Sequence, residues 1–326
     1  MPTNVTPEYE RAERRFREAG SDTEKLDALR EMLSTVPKHK GTEKLQADIK
    51  RRISQLRKAE AKKPAGRGAD PYHVPRGGAG QVLLVGTPNV GKSRLVAATT
   101  NAPVKVADYP FATPVPVPGM WPYEDVQVQI IDTPPVTADH VPGGLLSAVR
   151  LADIVCIVAD ASADPLGDAD TVLGLLAERG YTVETLPCRE LDLAERRRRS
   201  GLIVAAKADL AAPGTIETLR ELYEGRLDVC PVSAATGQGL DTLRDRLWDL
   251  LGVIRIYTKQ PGEPADMEKP FTIPLGSTVE DLAREIHREL PEKMKYARIW
   301  GHGRFDGQHV HRTEELRDKD VIEIHE

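Results

Sequence analysis

Gly86, Gly91, Lys92 and Ser93 stand at the spacing Gly-x-x-x-x-Gly-Lys-Ser in the stretch GTPNVGKS, between the apolar run QVLLV and the segment RLVAATT. That spacing suits the holding of phosphate. Glycines let the backbone curl until its N–H groups face phosphate oxygens, and a following helix adds its positive end. Lys92 is expected to reach the outer phosphates of a nucleotide and Ser93 to ligate Mg²⁺. Asn89, Val90 and Arg94 complete this expected nucleotide-binding stretch. Asp132 ends the run QIID, where a carboxylate can hold Mg²⁺ through water; read alone, it is an Asp that opens a turn. Lys207 and Asp209 close the run IVAAKADL. A carboxylate there accepts hydrogen bonds from N1–H and the exocyclic amine of guanine, a donor pair that adenine lacks, while the lysine stem lies along the ring. Ser233, Ala234 and Ala235, in CPVSAATGQGL, form a loop suited to presenting a backbone N–H to guanine O6. Thr113 lies in a Pro-rich segment, 109–119, between the phosphate loop and Asp132. It is expected to join Mg²⁺ and the γ-phosphate only when GTP is bound, so that the segment orders with GTP and relaxes after hydrolysis.

These residues need strands that end in polar positions. Apolar strand candidates run over 81–86, 126–132, 153–160, 201–206 and 228–232, with helical stretches near 92–100, 143–151, 168–179, 214–224 and 239–251. The alternation predicts an α/β fold, a doubly wound parallel sheet with helices on both faces. After Gly252 the pattern changes to short strands, VIRIYTK, PFTIPL, YARIW and DVIEIHE, around a helix at about 279–290 that Ser277 and Glu280 are expected to cap. Ahead of the sheet, Leu26, Leu29, Leu33 and Val36, then Leu45, Ile49, Ile53 and Leu56, recur at helical spacing, and Ser21 with Glu24 makes a capping-box pattern. The expected layout is a helical region over 1–60, a Pro-, Gly- and Lys-rich linker over 61–80, a nucleotide-binding domain over 81–252 and a small α+β domain over 253–326.

The 326 residues carry a net charge of −5, unevenly spread. Residues 1–68 hold 17 Lys and Arg against 11 Asp and Glu, whereas the remainder is acidic. A basic head suits an anionic partner such as RNA as well as it suits a solvated helical surface. Arg196–Arg199 is the densest basic run and reads as a solvated helix end, with an RNA contact as the alternative. His309 and His311 alternate on a strand but lack a third ligand for a metal. Cys156, Cys188 and Cys230 have no metal or disulfide spacing, and the first residues have no apolar stretch of a signal peptide. With no run long enough to cross a bilayer, a cytoplasmic protein without membrane or DNA partners is expected.

GTPNVGKS, DYPFATPVPVPGM and KAD…SAATGQGL resemble the Obg-related translation-factor GTPases, in which Tyr109-Pro110-Phe111 leads into Thr113 and Gly119. The C-terminal stretch from IRIYTK to DVIEIHE resembles a TGS domain, a ubiquitin-like β-grasp, and VPKHKGTEKL is similar to the helical region of the developmentally regulated GTP-binding proteins. The resemblance spans about 36–326. It implies a P-loop GTPase that uses Mg²⁺ and associates with the ribosome or RNA in translation or ribosome assembly, through the helical arm and the TGS domain. In related GTPases an Asn at the place of Asn89 helps to bind K⁺, so Asn89 joins Lys92 and Thr113 as an expected catalytic residue; its bland reading is a residue that tolerates a tight turn. Three features depart from the family. Pro135 stands where a glycine N–H would meet the γ-phosphate, and Val136 after it has no group to orient water. Ala206 replaces the asparagine that ties base loop to phosphate loop, and the segment around VTADHVPGG is short. These departures keep open a nucleotide-gated binder with little turnover; an ATP-using relative is a further alternative, against which Lys207 and Asp209 speak.

Overall fold

A computed structural model describes residues 28, 29, 32, 35, 72–102, 115–191, 197–301 and 305–325. The chain divides into two units, Met1–Asp70 and Pro71–Glu326. In the first, Ala28, Leu29, Met32 and Thr35 are helical, and the first three are buried. The remaining expectations for residues 1–60, including the Ser21–Glu24 box, lie outside the described residues.

The second unit is built on two sheets. The larger has seven strands: β1 (Gln81–Val85), β2 (Val117–Tyr123), β3 (Val126–Asp132), β4 (Ile154–Asp160), β5 (Thr182–Glu184), β6 (Arg198–Ala206) and β7 (Val229–Pro231). Its order is β2-β3-β1-β4-β6, with β5 and β7 sharing the far edge of β6. All pairs are parallel except the hairpin β2–β3. Alternate residues of each central strand enter two separate cores. Leu83, Val155, Ile157 and Ile203 face one side with helices α2 (Leu145–Leu151), α3 (Pro165–Glu178) and α4 (Thr215–Tyr223). Val82, Leu84, Cys156, Val158 and Val204 face the other, with α1 (Lys92–Thr99) and α5 (Leu240–Leu251). Both faces are therefore dry, which explains near-continuous apolar strands in place of polar alternation.

Several sequence expectations need correcting here. Part of the segment read as a loop over 109–119 is the start of β2, which contains Pro118 and Pro122; an edge strand tolerates prolines because one row of its N–H groups has no ladder partner. The last residues of the expected linker lie against the sheet: Gly78 bridges Val128, Gln129 Nε2 donates to Pro75 O at 3.1 Å, and Arg76 pairs with Asp153. Arg198 and Arg199 belong to β6, not to a helix end. Arg198 binds Glu184 on the neighbouring strand, and Arg199 donates to the Val149 and Arg150 carbonyls that close α2.

The smaller sheet has the order β11-β10-β12-β8-β9, formed by β8 (Val253–Lys259), β9 (Asp266–Pro274), β10 (Tyr296–Trp300), β11 (Gln308–Val310) and β12 (Asp320–His325). Only β8 and β12 are parallel. Its inner face packs Ile254, Ile256, Ala297, Ile299 and Ile322 on Val279, Leu282 and Ala283 of α6 (Val279–Ile286); a short α7 (Leu290–Lys293) follows. The capping box of α6 is Thr278 with Asp281, one residue beyond the expected Ser277 and Glu280. The helix also stops at Ile286, short of 290.

Arg255 joins the two sheets. Its side chain is 3% exposed, and its guanidinium binds Asp318 through two nitrogens at 3.1 and 2.6 Å. It also reaches Glu124 at 2.5 Å and Asp125 at 2.9 Å, in the tight turn between β2 and β3. The Tyr123 and Trp248 rings stack on each other and lie beside the same guanidinium. Lys319 adds a second cation on Glu124, and Tyr257 donates to Asp125. Arg255 is the buried member of this cluster, while the carboxylates it binds are partly exposed and water screens part of the cost of losing it. Arg255→Ala should therefore lower unfolding stability by about 2 kcal/mol, read from the urea midpoint; an unaltered midpoint would show the cluster to be energetically idle.

Candidate nucleotide site

The loop from Gly86 to Ser93 leaves the carboxyl end of β1 and enters α1. Its glycines answer to different demands. A Cβ on Gly86 would stand 2.5 Å from Val158 O and 2.9 Å from Val90 Cγ2, so packing against β4 requires glycine there. Gly91 has φ 101°, the left-handed region that favours glycine. Asn89 has φ 63° and is exposed, whereas Val90 is buried in the core and anchors the loop from below. Lys92 folds back into the loop: its Nζ donates to the Gly86 and Thr87 carbonyls, each at 2.9 Å. Burial lowers the pKa of this ammonium to about 8, opposed by the nearby Asp132 and Asp168 carboxylates. A cation held in a ring of carbonyls at the mouth of a helix can transfer its hydrogen bonds to an entering anion. Arg94 points outward, exposed on α1.

Beside the lysine, Ser93 Oγ donates to Asp132 Oδ2 at 2.6 Å, and Asp132, at the end of β3, is fully buried. Hydroxyl and carboxylate oxygens are the hard donors that Mg²⁺ takes, so this donor set fits that ion. Thr113 lies outside the described residues. The segment after Asp132 is held tightly. Thr133 Oγ1 donates to Leu84 O at 2.6 Å, Pro135 is buried, and the Val136 N–H donates to Gly86 O at 3.1 Å. The first backbone donor after the prolines is thus spent on the phosphate loop itself.

The expected base-recognition residues collect at the ends of β6 and β7. Lys207 takes the left-handed conformation, φ 57°, and leads into a 3₁₀ turn, Ala208–Leu210, which carries Asp209 exposed. Ala208 N donates to Val232 O at 3.0 Å, tying this turn to the one after β7. There, Ser233 is buried and its Oγ accepts from Thr236 N at 3.2 Å, shaping the turn that exposes Ala235 and half-buries Ala234. Ala206 reaches the phosphate loop only as a methyl group: its Cβ is 3.7 Å from the position a Cβ on Gly91 would take.

Three residues that the sequence reading missed knit these pieces together. Lys207 Nζ donates to Asp160 Oδ2 at 2.5 Å; Asp160 N donates to Asp168 Oδ2 at 3.0 Å; and Thr87 Oγ1 donates to Asp168 Oδ1. Burial would raise the Asp160 carboxyl, but the hydrogen bonds from Lys207 and Ser162 hold it below its usual range. Asp160 carried a legible signal, since it ends the apolar run IVCIVAD as Asp132 ends QIID. Thr87 and Asp168 carried none. Among the described residues, no group of three or more His, Cys, Asp or Glu is placed to hold a metal, and no helix is long and apolar enough to cross a membrane.

A family model described as a 50S ribosome-binding GTPase matches residues 81–185, and a TGS-domain model matches 254–326. An uncharacterized GTP-binding protein of Halobacterium salinarum is 32% identical, over 92% of this chain and 98% of its own. A GTP-binding protein of Methanocaldococcus jannaschii, also uncharacterized, is 27% identical over 92% of each chain. Developmentally-regulated G-protein 2 of Arabidopsis thaliana is 26% identical over 92% of this chain and 90% of that one. Similarity that runs the length of both chains, through a GTPase domain and on into a TGS domain, makes this chain a GTP-binding member of the developmentally regulated GTP-binding protein family.

Proposed function

We propose that the protein is a Mg²⁺-dependent GTPase that works as a switch on a ribosomal or RNA partner, with its helical region over 1–60 and its domain over 253–326 flanking the nucleotide-binding domain. The observation that carries this reading is the pairing of Ser93 with Asp132 at 2.6 Å beside the buried Lys92 ammonium. A hydroxyl, a carboxylate and a lysine gathered at one glycine-framed loop are the parts that phosphoryl transfer uses, because that reaction is driven by positioning and charge neutralisation. Ser93, Asp132 and Thr113 would hold Mg²⁺, which supplies positive charge against the β and γ phosphates when bound. Lys92 would turn from its carbonyls to those phosphates. Gly86, Asn89, Val90, Gly91 and Arg94 would serve the phosphate side, Val90 and Arg94 through their backbone, while Lys207, Asp209, Ser233, Ala234 and Ala235 would form the guanine side. The ribosomal partner rests on the description of the family whose model matches residues 81–185.

Turnover in this reading is slow. Val136 has no side chain to orient water, and Pro135 has no N–H for the γ-phosphate. Asn89, exposed at the rim of the loop, is free to contribute a carbonyl oxygen to K⁺. The second reading, a nucleotide-gated binder with little hydrolysis, is favoured by the Val136 N–H already committed to Gly86 O. Single-turnover hydrolysis with and without ribosomes separates the two: cleavage supports the switch, and its absence under both conditions supports the binder.

Three outcomes are expected. Asp209→Asn should weaken GTP binding by about a hundredfold, the loss of two charge-assisted hydrogen bonds, while leaving ATP competition as weak as before; equal calorimetric affinities for the two proteins would refute the assignment of the base. Hydrolysis should run faster in KCl than in NaCl, and equal rates would remove Asn89 from the catalytic set. Binding should also depend on pH through Lys92. The lowered pKa means that the unfolded chain holds more protons than the empty site between about 8 and the ordinary 10.5. The cost of the buried charge is thus fully present below pH 8 and is relieved as pH rises through that window. A triphosphate draws the proton back, so binding at pH 8.5 should take up protons and affinity should fall as pH rises further. Calorimetry in buffers of different ionisation enthalpy reads this uptake directly; none at pH 8.5 would contradict the role given to Lys92.

A further inference from the structure

A ligand that spans the ends of β1 and β6 is held well only if the distance between those ends is fixed. Ala206, at the end of β6, faces the phosphate loop with a methyl group, 3.7 Å from where a Cβ on Gly91 would stand, and has no polar group to fix that distance. A polar path nevertheless joins the two loops by way of the intervening strand. It starts at the Thr87 hydroxyl in the phosphate loop, passes through both oxygens of Asp168 to the Asp160 amide at the end of β4, and ends at Lys207 on the Asp160 carboxylate. The central carboxylate is itself well placed. Asp168 lies in the first turn of α3, where the helix end favours a negative charge, and Asp164 caps that helix by accepting from Gly167 N at 3.0 Å.

We propose that Asp168 is a positioning residue of the nucleotide site, which with Thr87 and Asp160 sets the separation of the phosphate loop from the base loop that Ala206 leaves untied. The inference rests on the guanine-nucleotide reading above and deepens it. Asp168 does not touch the nucleotide. It holds Thr87, whose own carbonyl accepts from Lys92, and it holds the backbone of Asp160, whose side chain orients Lys207. The same carboxylate lies close enough to the Lys92 ammonium to favour its charged form.

The test uses full-length protein and a fluorescent GDP, with affinity and release rate measured for wild type, Thr87→Val, Asp168→Ala and Asp168→Asn. Loss of a hydrogen bond to a charged group should raise the dissociation constant of Thr87→Val and Asp168→Ala by on the order of tenfold, with faster release. The double variant should be no weaker than the worse single one, because both break the same link. Asp168→Asn, which still accepts from the Asp160 amide, should lie between. The discriminating readout is rescue: Ala206→Asn restores a polar tie at the end of β6 and should recover much of the affinity lost in Thr87→Val. Loss of melting temperature in the nucleotide-free variants with no rescue would mean that Asp168 merely stabilises the fold and would overturn the proposal. Unchanged affinity in Thr87→Val and Asp168→Ala would overturn it too, leaving the nucleotide reading intact. Wild-type protein that takes up no GDP would overturn both.

Discussion

A parallel sheet covered on both faces leaves no room for an unpaired polar side chain along its strands: the buried Gln81 and Gln129 on β1 and β3 satisfy each other at 2.8 Å. That constraint places the chemistry of this protein. Val, Ile, Leu, Ala and Cys make up Val82–Val85 of β1, Ile154–Ala159 of β4 and Leu202–Ala206 of β6, because each alternate residue enters one of two dry cores. Charge appears where a strand starts or stops, and the carboxyl ends of β1, β3, β4 and β6 lie side by side because the strands run in the same direction. Gly86, Asp132, Asp160 and Lys207 are thus neighbours in space though scattered over 122 residues of chain, as expected for a ligand crevice at the ends of an open α/β sheet.

Within that crevice the costly element is the Lys92 ammonium. Burial works against its charge, and two carbonyls and two carboxylates offset the cost. The same arrangement makes the site receptive, since phosphate oxygens can replace the carbonyls without new desolvation of the lysine. The segment after Asp132 is built on the opposite plan. Thr133, Pro135 and Val136 are buried, and their available donors are directed at β1 and the phosphate loop. One side of the site is ready to exchange partners and the other is already fastened.

The strands were legible because continuous apolar runs leave few other options: the run read over 126–132 is β3 residue for residue, and the first helix after the glycine loop begins at Lys92 as expected. What escaped reading was set by long-range contacts. β2 contains two prolines and a glycine, and it is a strand only because β3 supplies a partner along its whole length. Arg198 and Arg199 look like a solvated run until Glu184 and the carbonyls of α2 are brought beside them. The cap of α6 shifted by one residue because Ser277 and Thr278 offer the same chemistry, each three residues before an acid. Most of the site residues were legible through motif spacing. Asp168 was not, because its partner Thr87 is 81 positions away and nothing local marks either residue.

The hairpin of β2 and β3 has a mechanical consequence. Its register is unbroken from Val117 opposite Asp132 to Tyr123 opposite Val126, a beam of about 20 Å at the usual strand rise. One end of the beam carries the buried carboxylate beside Ser93; the other is clamped by Arg255 and Tyr257 of β8 and by Lys319, just before β12. Any tilt of this beam at the phosphate end must either swing the smaller sheet with it or tear Arg255 away from Glu124 and Asp125. Motion there is leveraged, and the gearing between the two sheets is stiff.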